Sequence, residues 1–251
     1  MSDSFIIKKA GSELSGELSE VISEWQAPEC WLFVSPHDDD VLLGASLWLR
    51  SAMEAGARVE VAVVTDGSMG FSSREDAAGI VERRKTEAIA AYELLGVPSE
   101  NLHFMGFADG GLTQAIGSRL KDGELCGLEP ALCKLFRRIR PSRVFTTDEA
   151  DWHPDHRVTF EEVRISLFHA VGEIWSELGK PLAKLPALYS FPVYAPMASQ
   201  PEFFVEASID EAILKQSALL KFDTQSEVIG RLDDGENREC LRRVSLDKFK
   251  L

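Results

Sequence analysis

Apolar residues in this chain fall into short runs separated by polar turns, and the spacing within the runs switches between strand-like and helix-like periods. The first clear run is Cys30-Trp31-Leu32-Phe33-Val34, which ends at Ser35-Pro36. Five apolar residues bounded by a turn signal read as a buried strand. Residues 41–55 follow with helical composition and apolar positions at Leu42, Leu43, Leu47 and Leu49, closed by Gly56 in the manner of a glycine cap. Residues 58–65 (RVEVAVVT) are β-branched and apolar and predict a second strand. Residues 79–95 predict a helix ended by Gly96 and Pro98, and 101–105 a third strand. A helix over 128–139 stops before Pro141, a strand covers 143–147, and a long helix over 156–178 follows a loop at 151–155. After Pro186 the pattern changes: 187–194 and 202–207 predict strands, and Asp210 is the expected cap of a helix over 211–220.

Strands and helices thus alternate through about residue 178. That order calls for a mainly parallel sheet with helices on both faces, an α/β, Rossmann-like three-layer sandwich. Its core is expected at about 30–180, with a small C-terminal β/α extension at about 186–225, and the whole chain, 1–251, is expected to form a single domain. No tandem repeat or low-complexity segment interrupts the pattern. In such sheets ligands sit beyond the carboxyl ends of the strands. Three polar clusters fall there, at 35–40, 65–68 and 148–156.

Composition narrows the classes. A hydrophobic fraction of 45% and a charged fraction of 27% are ordinary for a water-soluble domain. The formal net charge of −14 repels a phosphate backbone, so nucleic acid is not an expected partner. No stretch approaches the length of a membrane span, and residues 1–10 lack the ordered regions of a secretory signal. Cys30, Cys126, Cys133 and Cys240 are scattered without a C-x-x-C pair, which predicts reduced thiols, a cytoplasmic setting and no cysteine-based metal site.

The chemistry is concentrated in two segments. Pro36-His37-Asp38-Asp39-Asp40 places three acids in succession directly after a buried strand, where like charges repel and water is scarce. A cation removes that cost; a solvated turn with one Asp capping the next helix is the blander reading. His153-Pro154-Asp155-His156 is the second segment, and the two together hold three of the five histidines. For this segment the blander reading is a polar loop with a helix start. A catalytic zinc takes three protein ligands and leaves a position open. His37, Asp40 and His156 supply that set. Asp39 is then free to act as general base, His153 to stabilise an oxyanion, and Asp155 to orient His153 and hold it protonated.

Paired in this way, the two segments resemble the motifs of the PIG-L/LmbE-like deacetylases, which usually read A/P-H-P-D-D-E and H-P-D-H. The resemblance implies one Zn2+ per chain (another first-row divalent ion being possible), held by His37, Asp40 and His156. It implies Asp39 as the base acting on a zinc-bound water and His153 as the group stabilising the tetrahedral intermediate. The implied activity is a zinc-dependent amidase, a deacetylase acting on linear non-peptide C–N bonds of an N-acetylated amino sugar such as N-acetylglucosamine, free or in a glycoconjugate. Thr65-Asp66-Gly67, the helix motif Arg84-x-x-Glu87, and Lys215, Ala218-Leu219 and Gln225 resemble further family stretches. They imply Arg84 as a contact for sugar hydroxyls, against a plain salt bridge to Glu87. Asp38 replaces the usual Pro, adding charge near the ion, and Val41 replaces the usual Glu. Two other readings use the same residues: a magnesium-dependent phosphatase built on Asp38 and Asp40, and a non-catalytic sugar-binding relative. Specificity is expected in the loops 70–78, 109–127 and 194–201.

Overall fold

The computed structural model describes residues 4–246, with 13–14, 23, 26–27, 72–73, 76, 120–122 and 234 outside the description. Three of the specificity loop positions named above, 72–73 and 76, and three more, 120–122, fall among those outside. The strands are β1 (Phe5–Lys9), β2 (Ser15–Gly16), β3 (Cys30–Ser35), β4 (Arg58–Thr65), β5 (Leu102–Phe107), β6 (Ser118–Arg119), β7 (Leu125–Cys126), β8 (Arg143–Thr147), β9 (Ala187–Phe191), β10 (Phe203–Ala207) and β11 (Arg238–Val244). Nine of them make one sheet in the order β2-β1-β10-β11-β9-β8-β3-β4-β5, and β6 pairs with β7. The block β9-β8-β3-β4-β5 is parallel throughout, while β11, β10, β1 and β2 extend it in antiparallel fashion.

The helices are α1 (Leu18–Val21), α2 (Asp40–Gly44), α3 (Ser46–Glu54), α4 (Ile80–Leu94), α5 (Leu128–Ile139), α6 (Pro154–Val171), α7 (Ile209–Leu219) and α8 (Ser226–Leu232). They cover the sheet on both faces, because successive strand side chains point to opposite sides. Trp31 and Phe33 of β3 pack under α2, α3, α4 and α7, whereas Leu32 and Val34 pack under α5 and α6. On the first face Phe145 stacks at 4.6 Å on Phe33 and at 5.2 Å on Tyr189, a ring column that ties three neighbouring strands together. Such pairs contribute roughly 0.5–1.5 kcal/mol beyond their burial. The three-layer α/β architecture expected from the strand–helix alternation is therefore present.

Local boundaries differ where tertiary contacts intervene. The helix expected over 41–55 is two, α2 and α3, broken at Ala45 (φ −148°). The long helix expected to reach 178 stops at Val171, and Ser176–Leu178 is a separate 3-10 turn. The buried Arg137 guanidinium explains the stop: it donates to the carbonyls of His169, Ala170, Gly172, Ile174, Trp175 and Gly179, which gives the departing chain the donor partners that the carbonyls of a helix end lack. Ser208, not Asp210, caps α7, its Oγ accepting from the Glu211 N–H (3.4 Å). β1 and β11 were not expected from the apolar pattern. β11 reads RECLRRV, and its charged residues look like loop until their partners are known.

Candidate active site and metal centre

The site is assembled from loops leaving the carboxyl ends of all five parallel strands. β3 ends at Ser35, whose Oγ donates to the His37 carbonyl (2.8 Å). The neighbouring Thr65, last residue of β4, donates to the Pro36 carbonyl through both Oγ1 (2.8 Å) and its N–H (2.9 Å). The His37 N–H donates to Asp40 Oδ2 (2.8 Å), closing the turn that starts α2. The segment 36–40 is thus a fixed, buried turn rather than a solvated one. The second segment follows β8: His153 is the N-cap of α6 and Pro154 opens the helix, where its missing N–H costs nothing. That puts His156 in the first turn, its carbonyl accepting from Thr147 Oγ1 (3.2 Å).

These two segments, far apart in sequence, meet. His37 Nδ1 lies 3.2 Å from His156 Nε2 and 3.4 Å from Asp40 Oδ2, and His156 Nε2 lies 3.2 Å from Asp40 Oδ1. Each ring also presents its other nitrogen to a carboxylate: His37 Nε2 to Asp109 Oδ1 (3.1 Å) and His156 Nδ1 to Asp151 Oδ2 (3.2 Å). That is the outer arrangement that orients imidazole ligands around an ion. Asp40 Oδ1 and Asp39 Oδ1 are buried without a hydrogen-bond donor. One ring nitrogen from each of His37, His153 and His156 lies within 4.8 Å of the others, as does one donor atom from each of His37, Asp109 and Asp155. Asp109 and Asp155, like Asp40 Oδ2, accept backbone N–H groups; among these described carboxylates, Asp40 and its neighbour Asp39 are the ones that keep a buried oxygen without a donor. The residues present therefore fit a divalent cation held by His37, Asp40 and His156.

Electrostatics agree. Burial opposes the protonated form of His37, but Asp40 and Asp109 outweigh it and hold its pKa well above the ordinary value. His156 is treated likewise by Asp40 and Asp151 and is raised to about 9. Burial works against ionised Asp40, yet the two imidazoles pull its pKa far down. Protons stand where a cation's charge is wanted. Asp39 behaves oppositely: burial, assisted by Asp38 and Asp40 against the pull of Arg84, raises it to about 6.

Two residues do something other than expected. Arg84 is only 3% exposed, and its Nε bonds both oxygens of Asp38 (3.1 Å each) while Nη2 bonds Asp38 Oδ1. It is a buried partner of Asp38, the acid that replaces the family's proline. It does not pair with Glu87, which accepts from Thr224 N–H and Oγ1 (3.1 and 2.6 Å). The loop after β4 wraps this guanidinium, and a Cβ on Gly70 would overlap it. Gln225 Nε2 donates to the Gly70 carbonyl (2.7 Å), so the C-terminal helices hold the loop in place. Asp155 does not orient His153 with its carboxylate, which instead accepts from the Gly110 N–H (2.7 Å) and Leu112 N–H (3.3 Å). Its backbone N–H donates to His153 Nδ1 (3.2 Å). The neutral ring then carries its proton on Nε2, and burial together with the charges of His37 and His156 lowers the His153 pKa rather than holding the ring protonated.

Asp109 and Tyr194 belong to the site without having been singled out, and Asp151, part of the 148–156 cluster, has a role there that the sequence did not assign. Asp109 sits in Ala108-Asp109-Gly110-Gly111, a sequence that reads as a plain turn. Its position at the end of β5, on the same sheet edge, is the signal that points to it. Tyr194 comes from the loop after β9 and lies 5.0 Å from the His156 ring. Burial, with Asp40 and Asp39 adding, pushes its phenol above the ordinary range.

A family model described as PIG-L: GlcNAc-PI de-N-acetylase matches residues 32–166, more than half of the 251-residue chain. The chain is 27% identical over 150 residues to diacetylchitobiose deacetylase of Thermococcus kodakarensis (58% of this chain, 51% of that protein). It is 27% identical over 168 residues to 1D-myo-inositol 2-acetamido-2-deoxy-alpha-D-glucopyranoside deacetylase of Kineococcus radiotolerans (58% and 46%). The matches thus span about half the length of these curated relatives. In fold it is similar to N,N'-diacetylchitobiose deacetylase of Pyrococcus horikoshii, with a TM-score of 0.69 at 20% identity over 86% of this chain and 84% of that one. With both metal-type segments inside the matched span and the family's three-layer fold around them, this chain belongs to the PIG-L family.

Proposed function

We propose that this protein is a metal-dependent deacetylase that hydrolyses the amide of an N-acetylated amino sugar or glycoconjugate. The observation that carries the reading is the convergence of His37 Nδ1, His156 Nε2 and the donor-less Asp40 Oδ1, with a second donor-less carboxylate, Asp39, beside them. His37, Asp40 and His156 hold the ion, which we take to be zinc. A divalent ion there supplies Lewis acidity, easing deprotonation of water and polarising an acyl oxygen. Asp39, raised to about 6, takes a proton from the attacking water near neutral pH and returns it to the leaving nitrogen, so that acetate and a free amine result. His153, its Nδ1 engaged by the Asp155 N–H, offers Nε2–H to the developing oxyanion. Arg84 and Asp38 fix each other next to the base, and Asp109 and Asp151 fix the two imidazoles.

The relatives' names share a chemical denominator, an acetamido group on a sugar, and that sets the substrate class proposed here. A phosphatase built on Asp38 and Asp40 is disfavoured because both Asp38 oxygens face Arg84. The test is metal analysis of the purified protein together with acetate release from N-acetylglucosamine, diacetylchitobiose and an inositol-linked N-acetylglucosamine, before and after chelation. Chelator-sensitive acetate release is the expected result. Metal and sugar binding without acetate release from any of them would instead identify a non-catalytic relative.

A further inference from the structure

Residues 209–220 carry apolar side chains at an unusual phase. On a helix that turns about 100° per residue, Ile209, Ile213 and Leu220 fall within about 40° of one another, with Gln216 beside them. α7 packs inward through Leu214, Lys215, Ala218 and Leu219, so this stripe lies on the side turned away from the sheet. Surface helices are usually polar there. Here Ile209 is 75% exposed, Ile213 58% and Leu220 82%. Three such neighbours make a strip, unlike the scattered single residues that need no explanation.

The helix that carries the strip is held firmly. Ser208 caps it, Arg50 grips both oxygens of Glu211 (2.9 and 2.8 Å), and Lys215 reaches the Leu43 carbonyl and Glu239 beneath. The polar side chains in and beside the strip already have partners when water leaves: Gln216 Nε2 donates to Asp233 Oδ2 (2.6 Å), and Ser217 Oγ donates to the Ile213 carbonyl (2.8 Å). The flanking charges fit a second copy of the same helix. Asp210, in the first turn, and Lys221, just past the last, lie on one flank of the strip, about 20° apart around the axis. Both are exposed, and neither side chain is paired among the described residues. When two such helices lie antiparallel, like flanks meet, so each Asp210 comes beside the other copy's Lys221 and the helix dipoles oppose each other favourably. A parallel pair would bring like ends together. A lipid surface is a poorer match, because helices that lie on membranes flank their apolar face with Lys and Arg. α7 instead begins with Asp210 and Glu211, on a chain of net charge −14.

We propose that the outer face of α7 is the contact between two copies of this chain, packed as an antiparallel helix pair about a two-fold axis, with Ile209 against Leu220 of the second copy and Asp210 beside its Lys221. The two Ile213 side chains then meet next to the axis. Nothing in this contact depends on the chemistry at the metal centre.

Sedimentation velocity across about 1–200 µM protein tests it, a range that brackets a weak, reversible dimer. The wild-type mass should move with concentration from the 27.8 kDa of one chain toward twice that value. Ile213→Asp leaves the buried side of α7 untouched and should stay at the mass of one chain throughout, with an unchanged circular dichroism spectrum. Lys221→Asp should weaken the dimer roughly three- to tenfold, since two exposed ion pairs are lost and like charges meet. The double variant Asp210→Lys with Lys221→Asp should restore it. A wild type that is a single chain at every concentration overturns the proposal, as does a dimer that Ile213→Asp leaves intact. A dimer broken by Ile213→Asp but not restored by the charge exchange overturns the antiparallel packing. Flotation of a monomeric wild type with phosphatidylcholine–phosphatidylserine vesicles, lost in Ile213→Asp, would give the strip to a lipid surface and overturn the proposal as well.

Discussion

Two buried carboxylate clusters in this molecule have opposite characters. Beneath the start of α3, Glu239 of β11 is 7% exposed and every oxygen is served: Oε1 accepts from Ser46 Oγ (3.1 Å) and Lys215 Nζ (2.9 Å), and Oε2 from the N–H groups of Leu47 (3.0 Å) and Trp48 (3.4 Å). Lys215 also donates to the Leu43 carbonyl (3.0 Å). At the mouth of the sheet, Asp39 and Asp40 are at least as buried, yet each keeps an oxygen without a donor. A buried acid with a full set of donors is a structural fastening; one left short is a ligand or a base waiting for its partner. The two clusters share one element. Lys215 and Glu239 hold the start of α3 and the end of α2, and α2 carries Asp40. The satisfied cluster thus braces the unsatisfied one.

That contrast can be broken at several points. The largest effect is expected at the base: Asp39→Asn should lower acetate release by about 10²–10⁴-fold while metal content stays at the wild-type level. Full activity in this variant, measured by acetate release, would remove Asp39 from the mechanism. At the fastening, Glu239→Ala leaves Lys215 short of its partner and uncaps α3, and should destabilise the fold by about 3–5 kcal/mol in denaturant titration. A loss below 1 kcal/mol would mean that the network is dispensable. Smaller again is the expected cost of Asp109→Asn, which removes the charge behind the His37 ring: metal affinity should drop about 10–100-fold in a competition titration with a chelating dye. Unchanged affinity would show that the contact does not orient the ligand.

The same comparison is sharpened through pH. His156 is raised from an ordinary 6.5 to about 9 in the metal-free fold. Its protonation therefore stabilises that fold fully below pH 6.5, and the contribution is lost as pH rises through about 9. The cation displaces that proton, so the melting-temperature gain on adding zinc should grow over the same interval. Thermal melts of metal-free and zinc-loaded protein across this range check both slopes, and a metal-free melting temperature that rises toward pH 9 contradicts the assignment.

Much of this was readable in the chain. Strong apolar runs such as 58–65 and 143–147, and the cap and breaker residues around 128–139, reflect local periodicity, which does not depend on distant partners. The topology rule that places ligands at the carboxyl ends of parallel strands singled out 35–40 and 148–156 from the positions of β3 and β8. What the chain did not show by itself were elements and roles created by a partner. β11 is a strand because its backbone pairs with β10 and β9, where its charged side chains find partners: Glu239 meets Lys215 and Arg242 meets Asp148, pairs that span 24 and 94 residues. The same holds for the roles of single residues. Arg84 pairs with Asp38 rather than with Glu87, and Asp155 accepts from the 110–112 backbone rather than orienting its neighbour His153 with its carboxylate. Tyr194 reaches the histidines only when β9 is laid next to β8. Residue type and spacing determine which groups are available and where the backbone can turn. Which group faces which is decided by the packing of distant segments, because desolvated charges take the nearest partner in space, not the nearest in sequence.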